Sequence, residues 1–164
     1  MLHYFDISKW KLSILSGILI GLAYPPSPLG FLAWFGLIPL IHIILNSSIF
    51  NSLKYSYVTG LIVNSITVYW FGLNSGAGFA TAIISMIAAI LYLSIFWLIL
   101  GLVCSWYHQK TGYGLFVFPL LWVSIEYLRS FGPLSFPWIN LPGRTSILLP
   151  EPVFLNSVIK SSKE

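Results

Sequence analysis

The chain has 164 residues, 57% of them hydrophobic and 7% charged, with a mean hydropathy of +0.88. A soluble domain carries about 25% charged residues, so this composition cannot cover a water-facing surface and points to a membrane protein. The net charge of +4 rests on eight basic and four acidic side chains. That is too sparse for the basic patch or stripe of a nucleic-acid binder, so no nucleic-acid partner is expected.

Taken in order, the amino terminus is mixed, with Lys9 and Lys11 on either side of Trp10. The first apolar run is Leu12 to Tyr24, stopped by Pro25 and Pro26. Trp10 and Tyr24 bracket it as interfacial aromatics do. The run is short for a hydrocarbon core of about 30 Å at a rise of ~1.5 Å per residue. Snorkelling lysines reduce the deficit. A signal peptide is the competing reading, because positive charge, run length and the small-x-small site Gly21-Leu22-Ala23 fit one. Gly17 and Gly21 form a GxxxG that serves either dimerisation or close packing within the chain.

The second run is Leu29 to Leu45, joined to the first by a proline-rich turn, so the two form a hairpin. Pro39 is expected to kink it, and His42 lies one turn further on. His42 reads either as a proton site or as a neutral packed histidine. Residues 46–57 are polar and hold Lys54. A third run, Val58 to about Leu73, carries Asn64, Ser65 and Thr67, which either bond across helices or face a headgroup or cavity. Tyr69, Trp70 and Phe71 at its end read as an aromatic belt.

A glycine-rich turn follows, at Gly72, Gly76 and Gly78. It lacks the preceding strand and following lysine of a phosphate-binding loop. The fourth run is Phe79 to about Trp106, then a turn over Tyr107 to Gly114. The fifth, Leu115 to Leu128, ends near Glu126 and Arg129. These two lie three residues apart and so on one helical face. They either close a helix end at the membrane surface or mark a site, since ionisable groups next to lipid are costly. Beyond Trp138 the prolines and charges make the tail surface-lying or poorly ordered.

The runs are helix-length and lack period-two alternation, which excludes a barrel. The expected fold is therefore all-α, a multi-pass transmembrane bundle of about five spans. The single cysteine, Cys104, lies inside an apolar run, so no internal disulfide is expected and the thiol reads as a small hydrophobe. No CxxC, HExxH or His–carboxylate cluster is present in the sequence, so neither a metal nor another cofactor is expected. Lys9, Lys11, Lys54 and Lys110 all fall on one side if the amino terminus is cytoplasmic, and the turns at 25–27 and 72–78 carry no lysine or arginine. That bias puts the amino terminus inside and Glu126 and Arg129 near the outer face.

The motifs also carry a resemblance. Leu121-Trp122, Glu126-Tyr127-Leu128-Arg129 and Phe136-Pro137-Trp138 resemble the membrane part of bacterial apolipoprotein N-acyltransferases. Ser16 to Leu19 with Leu22 to Pro26 resembles that family's first span, and Leu32 to Trp34 with Ile38 to Leu40 its second. Tyr69-Trp70 fits the end of its third. The resemblance implies two parts: a membrane domain over residues 1–141 and a divergent tail over 142–164.

By this resemblance the chain lies in a bacterial cytoplasmic membrane and takes part in moving an acyl chain from phospholipid to a lipoprotein's amino-terminal cysteine. The implied partners are membrane phospholipid, a diacylated lipoprotein and a separately encoded nitrilase-like domain. Family members hold a Glu–Lys–Cys triad in such a domain, and none of it maps onto this chain. The chain is thus expected to be a truncated or separate membrane half, inactive alone, with no catalytic residue. Glu126, Arg129, Phe136 and Trp138 are the candidate substrate-binding edge. The alternative is a non-enzymatic membrane protein, an assembly partner or a small carrier.

Overall fold

A computed structural model describes residues 7–24, 27–73 and 78–129. They form five α-helices: α1 (Ile7–Leu22), α2 (Leu32–Leu45), α3 (Ile49–Val68), α4 (Phe79–Thr111) and α5 (Gly114–Arg129). A short 3₁₀ segment, Tyr69–Leu73, extends α3. The described residues are all-helical, as the helix-length apolar runs predict.

Several boundaries differ from the sequence expectation, and two of them change the turns. Helix α3 begins at Ile49, so most of the polar stretch 46–57 is helical. Its serines read as a loop because serine competes for backbone bonds. Here Ser52 Oγ instead donates to the Ile44 carbonyl of α2 at 3.1 Å. Helix α4 runs on to Thr111, and the turn shrinks to Gly112 and Tyr113. Gly112 has φ of 79°, a left-handed cap that its N–H closes on the His108 carbonyl at 2.8 Å.

Helix α3 is the hub, packing mainly on α4 and α1, while α1 also packs on α2 and α5 lies against α4. Ile20, Leu40, Ile44, Val63, Leu93, Trp97, Leu100 and Phe118 fill the core between them. The polar residues of the apolar runs join the helices. Ser13 Oγ donates to the Tyr55 carbonyl at 2.8 Å and lies 3.0 Å from Thr59 Oγ1. Ser16 Oγ donates to the Gly36 carbonyl at 2.6 Å. Asn64 Nδ2 donates to Ser94 Oγ at 3.1 Å, joining α3 to α4. So Asn64 bonds across helices, one of the two roles open to it.

The GxxxG of α1 faces α3. A Cβ on Gly17 would come within 2.8 Å of Ile62 Cβ, and one on Gly21 within 2.8 Å of Ile66 Cδ1. The motif is used inside the chain, where small residues let helices approach.

The outer surface is apolar, with Trp34 at 78%, Phe79 at 79% and Phe116 at 73% exposure. Helix α4 has 33 residues, about 50 Å at ~1.5 Å per residue. Among the described residues it is the one helix long and apolar enough by itself to cross a membrane. Helices α1, α2 and α5 have 16, 14 and 16 residues. That is about 21–24 Å, short of a hydrocarbon core of about 30 Å. Pro39 sits inside α2 and Pro119 inside α5.

The α3–α4 approach gives a direct test. A Cβ on Gly60 would lie 2.6 Å from Trp97 Cγ, while one on Gly30 meets nothing within 4 Å. Gly60→Ala should destabilise the protein by about 1–3 kcal/mol, the usual cost of overpacking. Gly30→Ala should stay within about 0.5 kcal/mol. Unfolding midpoints of the two variants in detergent check the difference.

Candidate functional site

The charged end of α5 follows from its sequence. An apolar helix that closes with Glu126 and Arg129 sets the two one turn apart and on a shared face. That face meets α4. Phe96, Trp97 and Leu100 of α4 line a cleft with Trp122, Ile125, Glu126 and Arg129 of α5. Edge-on stacking of Trp97 and Trp122, with centroids 5.2 Å apart, sets the spacing of the two helices beside it.

Arg129 is 6% exposed and is the one buried charged side chain among the described residues. Its guanidinium carbon lies 5.9 Å from the centre of the Phe96 ring. Its Nε and Nη2 are buried and have no hydrogen-bond partner. The titratable groups near it are Tyr24, Glu126 and Tyr92. Glu126 is half-buried and lines the same cleft. The structure therefore brings Glu126 and Arg129 together, as their spacing predicts. Phe136 and Trp138, the other two candidates, lie outside the described residues. So does the divergent tail at 142–164.

Sequence reasoning missed Tyr24 and Phe96 as neighbours of Arg129. Tyr24 was expected at a membrane interface, but it is buried in the core. The chain curls just after α1, with the Tyr24 N–H on the Gly21 carbonyl at 3.3 Å, and the ring turns inward. Trp10, its expected counterpart, is half-buried and packs edge-on against Tyr55 at 5.0 Å. Phe96 carries no local signal, since it belongs to another helix. Tyr69 and Trp70 are exposed, as belt aromatics are.

The other candidates separate from the cleft. His42 is exposed, with Nδ1 3.4 Å from Asn46 Nδ2. Cys104 is fully buried, its thiol directed to the Gly114 carbonyl at 3.5 Å. Among the described residues no group of three His, Cys, Asp or Glu is placed to hold a metal ion. The lysines gather at the opposite end of the helices. Lys9 Nζ donates to the Asn46 carbonyl at 2.8 Å, and Gln109 Nε2 to the Ser47 carbonyl at 3.3 Å. These bonds put the α1 start, the α2–α3 turn and the α4 end together, with Lys54 and Lys110 nearby in sequence.

Comparison with known proteins adds the family. The apolipoprotein N-acyltransferase N-terminal domain matches residues 16–146. This chain belongs to the apolipoprotein N-acyltransferase family. An apolipoprotein N-acyltransferase of Geobacter metallireducens is 26% identical over 138 residues, which cover 80% of this chain and 26% of that protein. One from Methylococcus capsulatus is 29% identical over 140 residues, covering 79% of this chain and 27% of the relative. The chain thus spans about a quarter of the length of the curated relatives it matches. No solved structure matches it. The matched family domain includes the α4–α5 cleft and both of its charged residues.

Glu126 and Arg129 share one cleft, so they should couple energetically. In a double-mutant cycle with Glu126→Gln and Arg129→Met, the double change should differ from the sum of the singles by about 0.5–3 kcal/mol. Chemical unfolding of the four proteins in one detergent measures it, and strict additivity would mean no coupling.

Proposed function

We propose that this stretch of chain is the lipid-embedded part of an apolipoprotein N-acyltransferase, a multi-pass bundle in a bacterial cytoplasmic membrane. It admits phospholipid and a diacylated lipoprotein between helices, and the acyl-transfer chemistry takes place on a nitrilase-like domain. The observation that carries this reading is the buried Arg129 beside Glu126 in a cleft of the matched family domain. Ionisable groups in apolar surroundings are costly and usually serve a site. Glu126 and Arg129, with Phe136 and Trp138, are the headgroup-facing edge.

Short helices fit a membrane when they pack side by side, because tilt, bilayer thinning and snorkelling lysines absorb the mismatch. The lysine-bearing ends cluster on one side, which supports a cytoplasmic amino terminus by the positive-inside rule. Reporter fusions at Ser47 and Lys110 should then report cytoplasm, and fusions at Ser27 and Ser75 the outside. An outside signal at Lys110 would reverse the topology.

A thiol that attacks an acyl donor must be reachable and placed next to a base or a cation. Cys104 is enclosed in the core instead. The purified chain should form no hydroxylamine-sensitive adduct with labelled phospholipid. Grafted in place of the matching stretch of a full-length family member, residues 16–146 should support acylation of a lipoprotein, read by mass spectrometry. A Cys104-dependent adduct on the chain alone, or a folded graft without activity, would overturn the reading. The latter outcome would favour the assembly-partner or carrier alternative.

A further inference from the structure

We propose that the side edge of the Arg129 guanidinium is a seat for a phosphodiester oxyanion, brought by a lipid headgroup that enters between α4 and α5. The proposal names the chemistry and the atoms of the edge inferred above, and it rests on that reading for its membrane setting.

Three observations converge. The first is the unpartnered pair. Nε and Nη2 are the two nitrogens of one guanidinium edge, and their N–H bonds run parallel in the fork that accepts two oxygens of one phosphate or carboxylate. Both are buried without a partner. A buried donor left unmade costs about 1–3 kcal/mol, and more when charged. A guanidinium cannot relieve that cost by losing its proton.

The second is the wall of the cleft. Apart from Glu126 and Arg129 it is apolar, made of Phe96, Trp97, Leu100, Trp122 and Ile125. Such a wall is a poor place for a hydrated ion, since it offers no groups to replace the ion's water. The third is position. Phe96 and Glu126 of the cleft are half-buried, and Ile95, Ile99 and Val123 beside them are exposed apolar side chains, so the cleft borders the apolar outer surface.

Glu126 then sets the charge that the seat accepts. It lines the same cleft and acts on Arg129. A second negative charge on the ligand is repelled by its carboxylate. A singly charged phosphodiester is favoured over inorganic phosphate, which carries between one and two charges near neutral pH.

The test uses the full chain in phosphate-free maltoside micelles and reads the unfolding midpoint during titration. The probes are dihexanoyl phosphatidylglycerol, dihexanoylglycerol (the same chains without phosphate) and inorganic phosphate. The phosphatidylglycerol should raise the midpoint saturably, and the other two should not do so at equal concentration. Arg129→Met should weaken the apparent affinity about tenfold or more, the usual consequence of losing charge-assisted hydrogen bonds. Arg129→Lys, which keeps the charge but loses the fork, should weaken it severalfold and serves if the methionine variant fails to fold. Equal shifts with dihexanoylglycerol would show that only the chains bind. A shift with inorganic phosphate equal to the lipid's would make the seat one for free anions. Unchanged affinity in either variant would remove Arg129 from the site. Each of these overturns the proposal. No acyl transfer is measured, so this result and that of the graft can fail separately.

Discussion

The fold depends on polar side chains that find partners across helix interfaces. Ser13, Thr59 and the Tyr55 carbonyl form the clearest case, a buried set of hydrogen bonds between α1 and α3. In apolar surroundings an unpaired hydroxyl is costly, so such groups fix which helices meet and in what register. Each bond contributes modestly, on the order of 0.6 kcal/mol in membrane proteins. Their value lies in direction. Apolar contacts between α1 and α3 tolerate sliding, whereas Ser13 on Tyr55 and Thr59 does not. With α3 held in this way, Gly17 and Gly21 on one side and Gly60 on the other let its neighbours close in.

The α4–α5 pair is built differently. Its seam is aromatic, with Trp97 edge-on to Trp122 and Phe118 tilted against it at 5.9 Å. Ring packing of this kind leaves irregular gaps where planar groups end. The cleft opens where the rings give way to Glu126 and Arg129. The charged end of α5 therefore faces an apolar stretch of α4 at Phe96, Trp97 and Leu100. The placement contributes little to holding the helices together, because a buried charge without a full set of partners opposes folding. A feature that works against stability and sits at a cleft is the physical basis of the site proposed above.

Much of this was legible in the residues. The apolar runs gave the helices, and helical spacing joined Glu126 to Arg129. Polar stretches hide helix boundaries, because their residues also suit loops. Residues 49–57 are helical because Ser52, Tyr55 and Ser56 are buried against neighbouring helices, which no local pattern reveals. Gly17 and Gly21 signalled a close approach, but a motif of small residues does not name its partner. Tyr24 was misplaced for a related reason. Its position after an apolar run fits an interfacial anchor, while its burial comes from packing that no local pattern reveals. The walls of the cleft come from two consecutive helices, and which of their faces meet is visible only once they are packed.

The make-up of the cleft makes it a local feature. Its lining comes from α4 and α5 alone, two consecutive helices joined by the short turn at Gly112 and Tyr113. Contacts within such a hairpin are close in sequence and need little loop closure. The aromatic seam of Trp97, Phe118 and Trp122 and the charged end beside it therefore belong to one helical hairpin. The shape of the cleft depends on that seam more than on how α1 and α2 are seated against α3.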